Sequence, residues 1–269
     1  MGALDSRFFD LGAMDRLARQ DTPLHRLDGR AKLLATLAFL VTVVSFDRYE
    51  LSALIPFVVF PVALCLGGNV PGRWLWRKIL LAAPFAVLIG MFNPLIDRQP
   101  LLTIGWWQVS GGWISFASIL LRFALTVAAA LALAAVTGFN NVCTALQRLG
   151  VPRVFVVQLL FLHRYLFVLV EETMRLVRAR ALRSFGRGTG LRAFGSLTGH
   201  LLLRTLDRAQ RVHQAMSCRG FSGAMPALRP ARFGGREIVF VLGWTSLFVA
   251  LRCVNVSRWL GAAVLELWS

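Results

Sequence analysis

The stretch "VFVVQLLFLHRYLFVLV", Val154–Val170, decides how the rest of the chain is arranged. It is apolar enough for a membrane helix, yet it carries His163-Arg164 near its middle. It also runs without a helix breaker into Glu171-Glu172 and a zone dense in arginine. From Glu171 to Arg236 there are thirteen arginines against three acids, Glu171, Glu172 and Asp207. Positive charge collects on the cytoplasmic side of membrane proteins. An arginine at the centre of a spanning helix costs roughly 2.5–3.5 kcal/mol on insertion scales. The run is therefore expected to pack at the cytoplasmic boundary of a membrane bundle and not to cross the bilayer.

The remaining apolar runs alternate with basic loops. Leu33–Phe46 is short, but Ala31 and the snorkelling stem of Lys32 extend it. Leu51–Leu66 follows and stops at Gly67-Gly68. Ile79–Ile96 is expected to be interrupted at Pro84 and at Asn93-Pro94. Trp113–Val136, with Arg122 as its one charge, is the clearest span, and Ile238–Cys253 comes last. Arg122 reads as a polar contact inside the bundle. The stretch "DRQPLLTIGWWQVSGGW" (97–113) reads as a turn-rich hairpin outside the membrane, its tryptophans near the interface. With Arg26, Arg30, Lys32, Arg73, Arg77, Lys78, Arg148 and Arg153 on the inner side, five crossings result. The N-terminus is then cytoplasmic and the C-terminus external, with Trp259–Trp268 too short to span alone.

Composition agrees with a bilayer. The chain is 57% hydrophobic, with a mean hydropathy of +0.63 and a net charge of +17. Nucleic-acid binders carry such charge on scaffolds of ordinary hydropathy, so no nucleic-acid partner is expected. A basic surface on an apolar chain fits the positive-inside bias and anionic headgroups. The fold class expected is an all-α polytopic membrane protein, with about five transmembrane helices and long cytoplasmic coupling helices. Its parts are an N-terminal cytoplasmic segment (1–31), a four-helix membrane region (32–137), a coupling-helix region (138–236) and a C-terminal helix and tail (237–269). Asp5, Asp10, Asp15 and Asp21 among the first residues do not read as a signal peptide.

No chemistry-bearing cluster emerges. Cys65, Cys143, Cys218 and Cys253 are scattered, with no CxxC pair. His25, His163, His200 and His213 lack ligand spacing, so no metal site is expected. "GRGTG" (186–190) has neither the Lys-Ser/Thr nor the preceding strand of a phosphate loop. Glu171 and Glu172 pair most simply with Arg175. An independent secondary transporter would call for inverted repeats and a polar site at the midplane. No repeat is visible, and Arg122 with Asn93 makes a thin site.

Two helices are expected in 152–220. The first continues from Val154–Val170 through "EETMRLVRARALRSFG" (171–186), and the second runs from about Leu191 to Arg219. In the second, Arg204, Arg208 and Arg211 share a stripe beside Leu201, Val212 and Met216. Gly220 is a natural residue for a left-handed helix cap, which leaves Arg219 at the helix tip. A tip arginine can fork onto a carboxylate or onto carbonyls of another protein. Arg180 lies near the tip of the first helix.

Ala179-Arg180-Ala181 and Cys218-Arg219-Gly220 resemble the paired Ala-Arg-Gly motifs of the transmembrane T components of energy-coupling factor (ECF) transporters. The "DGRAKL" lead-in (28–33), Leu146–Pro152, the "HRY" helix with Glu171-Glu172, and "QAMSCRGF" (214–221) occur in that family's order. "QAM..RGF", with Gln214 and Met216, is most similar to the cobalt/nickel-type, or CbiQ-type, T subunit. The resemblance implies a non-catalytic scaffold subunit of an importer in the bacterial inner membrane. Its cargo would be cobalt or nickel, or alternatively biotin or another vitamin. Implied partners are two ABC-type ATPase subunits, which bind ATP and magnesium, and a substrate-binding membrane S component, with or without a small accessory membrane subunit. The chain itself would hold no cofactor. By position, Arg180 and Arg219 would dock into the two ATPases, with Glu171, Glu172, Gln214 and Met216 supporting them. Two departures are Gly29, where the family often has Pro, and Cys218 in place of Ala.

The expected topology is testable by placing Arg187→Cys in a background with the four native cysteines replaced. A membrane-impermeant maleimide is predicted to label it only after permeabilisation. Labelling in intact cells would mean that Val154–Val170 crosses.

Overall fold

The computed structural model describes residue 14 and residues 16–47, 50–96, 100–104, 107–184, 190–223 and 234–253. The chain divides into two compact units, Met1–Ala145 with Ala231–Ser269, and Leu146–Pro230. The first holds α1 (Pro23–Arg26), α2 (Gly29–Val44), α3 (Leu51–Leu54), a 3₁₀ turn (Ile55–Val58), α4 (Val59–Gly67), α5 (Gly72–Gly90), α6 (Asn93–Ile96), strands β1 (Pro100–Ile104) and β2 (Trp107–Ser110), and α7 (Gly111–Thr137). It also takes in most of α8 (Phe139–Arg148), and α11 (Gly235–Cys253) returns to it from the C-terminal side. The second unit is built on α9 (Arg153–Arg183) and α10 (Leu191–Cys218).

Local chemistry sets these boundaries. Asp28 caps α2, its carboxylate accepting from the Arg30 N–H at 3.0 Å. Gly29 follows as the first helical residue, a position that proline also tolerates. A Cβ at Gly29 would stand 3.2 Å from the Asn141 carbonyl oxygen. The second apolar run is divided by the 3₁₀ turn at Pro56, where proline lacks the N–H that an α-helix requires. Asn69 ends α4 with φ 53°, and the Val70 N–H reaches back to the Cys65 carbonyl at 2.9 Å.

One expectation needs correction. Pro84 does not interrupt its helix, because α5 runs through it to Gly90. Helices with an apolar exterior tolerate an internal proline where neighbours compensate. The described residues are mostly helical, as the expected class requires, and β1 and β2 pair antiparallel as a hairpin, with an irregularity between Pro100 and Leu102. This hairpin falls where the paired glycines and tryptophans led us to expect a turn-rich hairpin.

The apolar helices of the first unit alternate in direction. Gly29 at the start of α2 packs on Thr137 at the end of α7, while Arg122 of α7 donates to the Asp47 carbonyl beyond the other end of α2. Gly68, after α4, lies against Val136, and Gly90, at the end of α5, lies against Phe116. Arg252, near the end of α11, donates to the Ser45 carbonyl at 2.9 Å, so α11 runs parallel to α2.

α7 is the central helix. Its buried Gly111, Ser115, Ser118, Leu125, Ala129, Ala132 and Val136 recur at alternating steps of four and three, with Arg122 in the one charged slot. Such small residues let helix backbones approach closely. Asn93 of α6 donates to the Ser115 hydroxyl at 2.9 Å on this seam. Asn93 and Arg122 thus each have a separate structural partner.

α11 is attached by aromatic packing. Phe248, only 2% exposed, meets Phe60 at 5.2 Å, Phe39 at 5.5 Å and Phe57 at 6.1 Å between ring centroids. Trp244 adds an edge contact to Phe60 at 4.9 Å. These are favoured ring separations. The opposite faces are apolar too: Leu37, Val41 and Val44 on α2, and Leu80, Leu81, Phe85 and Leu88 on α5, are exposed. Helices apolar on both faces belong in a non-aqueous surround.

Among the described residues two helices are long and apolar enough to cross a membrane by length and composition, Gly111–Thr137 and Arg153–Arg183. Leu51–Gly67 is apolar but shorter. Length alone therefore does not yield five crossings, and it does not set α9 apart from the spanning helices. The tail segment Trp259–Trp268 lies outside the described residues.

Phe248→Ala is predicted to destabilise the first unit by about 3–5 kcal/mol, the range for truncating a buried ring. Val249→Ala, on the exposed side of the same helix, should change stability by less than about 0.5 kcal/mol. Reversible unfolding in detergent measures both.

Candidate docking surface

The helices of the second unit follow from its sequence. Arg153 opens α9 just after Pro152, which serves as its N-cap. No glycine or proline then occurs before Ser184, and the helix runs for 31 residues. Gly150, with φ 105°, closes α8 upstream, and the Val151 N–H bonds to the Leu146 carbonyl at 3.1 Å. Residues 185–189, which hold most of "GRGTG", lie outside the described residues. α10 starts after Gly190.

α9 and α10 pack on one another in an antiparallel sense. Glu172 of α9 accepts from Arg204 of α10 at 2.6 Å. Further along α9, Leu176, Ala179, Arg180, Arg183 and Ser184 face Leu197, His200 and Arg204 across a groove of about 890 Å³. Glu171 pairs with Arg175 at 2.6 Å one turn away on its own helix. The expectation that both glutamates serve Arg175 is therefore corrected for Glu172. A partner from another helix is invisible to local spacing. The Glu171–Arg175 pair is largely exposed and adds less than about 1 kcal/mol, whereas in the second pair Arg204 is exposed and Glu172 is partly buried.

Arg180 lies in the last turn of α9, and its carbonyl accepts from the Ser184 N–H at 2.9 Å. Its Nε is buried and has no hydrogen-bond partner among the described residues. Ala179 and Ala181 are exposed on either side.

Arg219 is exposed and forms the C-cap of α10. Gly220 takes φ 75°, the left-handed conformation that only glycine adopts without penalty. The Gly220 N–H bonds to the Ser217 carbonyl at 3.0 Å, and the Phe221 N–H bonds to the Met216 carbonyl at 3.1 Å. This double closure is a Schellman motif. Met216, half-buried, thus supplies both a cap acceptor and an apolar contact surface, while Gln214 and Cys218 are exposed. The Cys218 thiol is free.

The structure does not bring Arg180 and Arg219 together. Arg180 shares its groove with His200, and Arg219 lies about 29 Å further along α10 at the helical rise of 1.5 Å per residue. The surface therefore presents two separate arginine tips. Arg183, which sequence reasoning did not single out, and His200, weighed there only as a metal ligand, line the groove beside Arg180. Their shared location depends on how two helices pair, and no motif marks it.

Comparison with known proteins places these residues in a wider context. The family described as CbiQ, cobalt transport protein, matches residues 20–228. A cobalt transport protein CbiQ from Rhodobacter capsulatus is 27% identical over 226 residues, 82% of this chain and 90% of that protein. Its counterpart of the same name from Salmonella typhimurium is 27% identical over 164 residues, 56% of this chain and 72% of the relative. An energy-coupling factor transporter transmembrane protein EcfT from Thermanaerovibrio acidaminovorans is 28% identical over 251 residues, 86% of this chain and 91% of the relative.

The cap at Gly220 generates a local prediction. Gly220→Ala should cost roughly 1–2 kcal/mol, the strain of a left-handed alanine. Hydrogen exchange at the Gly220 and Phe221 amides should accelerate, with the middle of α10 unchanged. Unaltered exchange at those amides would mean that the cap does not hold Arg219.

Proposed function

The chain belongs to the CbiQ family of cobalt transport proteins, and we propose that it is the non-catalytic coupling subunit of an ATP-driven importer. Its similarity to proteins named CbiQ and EcfT makes it a transmembrane component of a transporter. Within that role, two ABC-type ATPase subunits bind and hydrolyse ATP with magnesium, and this chain binds neither. A separate membrane S component, with or without a small accessory membrane subunit, carries the substrate. The family's description favours cobalt as cargo, with nickel, or biotin or another vitamin, as the alternatives.

The observation that carries the reading is the pair of separated arginine tips. Arg219 is exposed at a glycine-capped helix end, and Arg180 has a donor that the described residues leave unused. A spacing of about 29 Å along α10 suits two partners better than one. Each ATPase would receive one arginine, through charge-assisted and forked hydrogen bonds. ATP-driven closure of the ATPases would then move the ends of α9 and α10. That motion would pass to the bundle and let the S component reorient.

The membrane arrangement is part of the same proposal. The five alternating helices of the first unit cross the bilayer, with the N-terminus cytoplasmic in the bacterial inner membrane. α9 stays on the cytoplasmic side, because its outward passage would carry the arginine-rich zone across.

Co-expression with the ATPases encoded beside it, and pull-down through this chain, tests the proposal. Arg180→Glu/Arg219→Glu is predicted to lose the ATPases while remaining folded in the membrane. ATPase recovery at the wild-type level would contradict the docking role.

A further inference from the structure

We propose that the groove between α9 and α10 binds the phosphate of an anionic phospholipid headgroup. Three arginines, Arg180, Arg183 and Arg204, line it with His200. Arg204 is balanced by Glu172. Among the described residues neither Arg180 nor Arg183 has an ion-pair partner. The buried, unpartnered Nε of Arg180 is a donor whose desolvation nothing offsets. Guanidinium forks match the tetrahedral oxygens of phosphate, and the His200 ring can add a further N–H.

The walls narrow the source of the phosphate. Leu176 and Leu197 line the same groove. A free phosphate ion gains nothing from them, whereas the glycerol and first acyl carbons of a lipid do. At about 890 Å³ the groove is also larger than a single phosphate requires. Leu176 lies about 9 Å along the helix beyond Val170, where the apolar run ends. Basic pockets between helices on the cytoplasmic side suit such headgroups.

Arg180 is shared with the proposed docking pair, so lipid and ATPase would be alternative occupants there, and Arg183 and His200, outside that pair, keep the two tests distinguishable. The test uses full-length, delipidated protein in detergent, titrated with phosphatidylglycerol or phosphatidylcholine and read by native mass spectrometry. Wild type should retain phosphatidylglycerol at least about tenfold more strongly than phosphatidylcholine, the minimum for one charge-assisted contact. Arg183→Gln/His200→Gln should abolish that preference, and Arg192→Gln, outside the groove, should preserve it. Displacement of phosphatidylglycerol by millimolar inorganic phosphate would support the phosphate as the recognised group. Tight inorganic phosphate binding without lipid retention would assign the groove to a soluble anion and overturn the lipid source. Equal retention of both lipids would overturn the anionic headgroup as the occupant, since phosphatidylcholine carries a phosphate as well, and an unchanged double variant would overturn the site. Loss of co-purified ATPases, with lipid preference intact, would make the groove a protein contact instead.

Discussion

The bundle rests on the close approach that α7 permits. Lipid is as apolar as a leucine side chain, so burial from water supplies little drive between helices there, and packing has to supply the rest. The seam from Gly111 through Ser115, Ser118, Ala129 and Ala132 to Val136 is therefore narrow by composition. α2, α4 and α5 lie along it, and short α6 ties on through Asn93 and Ser115. The tolerances are tight: a Cβ at Gly68 would come within 2.3 Å of a Val136 methyl, and one at Gly90 within 2.8 Å of the Phe116 ring. Arg122 interrupts the seam and donates to the Asp47 carbonyl in the turn that follows α2, tying that turn to α7.

α11 is bound differently. It arrives from a distant part of the sequence and is locked by Trp244 and Phe248 among Phe39, Phe57 and Phe60. At its far end Arg252 lies 4.1 Å from the centre of the Phe46 ring and donates to the Ser45 carbonyl. The bundle is thus closed by aromatic shape at one helix and by small-residue contact at the others. Among its described residues the second unit has neither device. Its two helices meet through the Glu172–Arg204 pair and a lined groove, and most of its surface is open. A region with so little burial of its own suits contact with other molecules, which is the role proposed for it.

Much of this was legible in the residues, for identifiable reasons. Apolar runs and glycine stops mark helix bodies and ends because both act locally. Gly220 announces its left-handed cap, and the paired glycines and tryptophans around 105–112 announce a hairpin. Pro84 misled, because the compensation for a missing N–H comes from the surroundings and not from the sequence near it. Glu172 misled for a related reason: its partner is 32 residues away on another helix. The groove at Arg180 was hidden in the same way, since Arg183 and His200 become neighbours only when α9 and α10 pair. The number of crossings is not decided by length, because α9 meets the same standard as α7. Charge distribution separates them instead.

The central claim is that the two arginine tips are moved by two different partners. Spin labels at Leu182→Cys and Ser222→Cys, beside Arg180 and Arg219, report it directly in the reconstituted transporter by pulsed electron paramagnetic resonance. The account predicts one distance distribution without nucleotide and a shifted one in the ATP-trapped state. Superimposable distributions in a transporter that still hydrolyses ATP and moves substrate would contradict it.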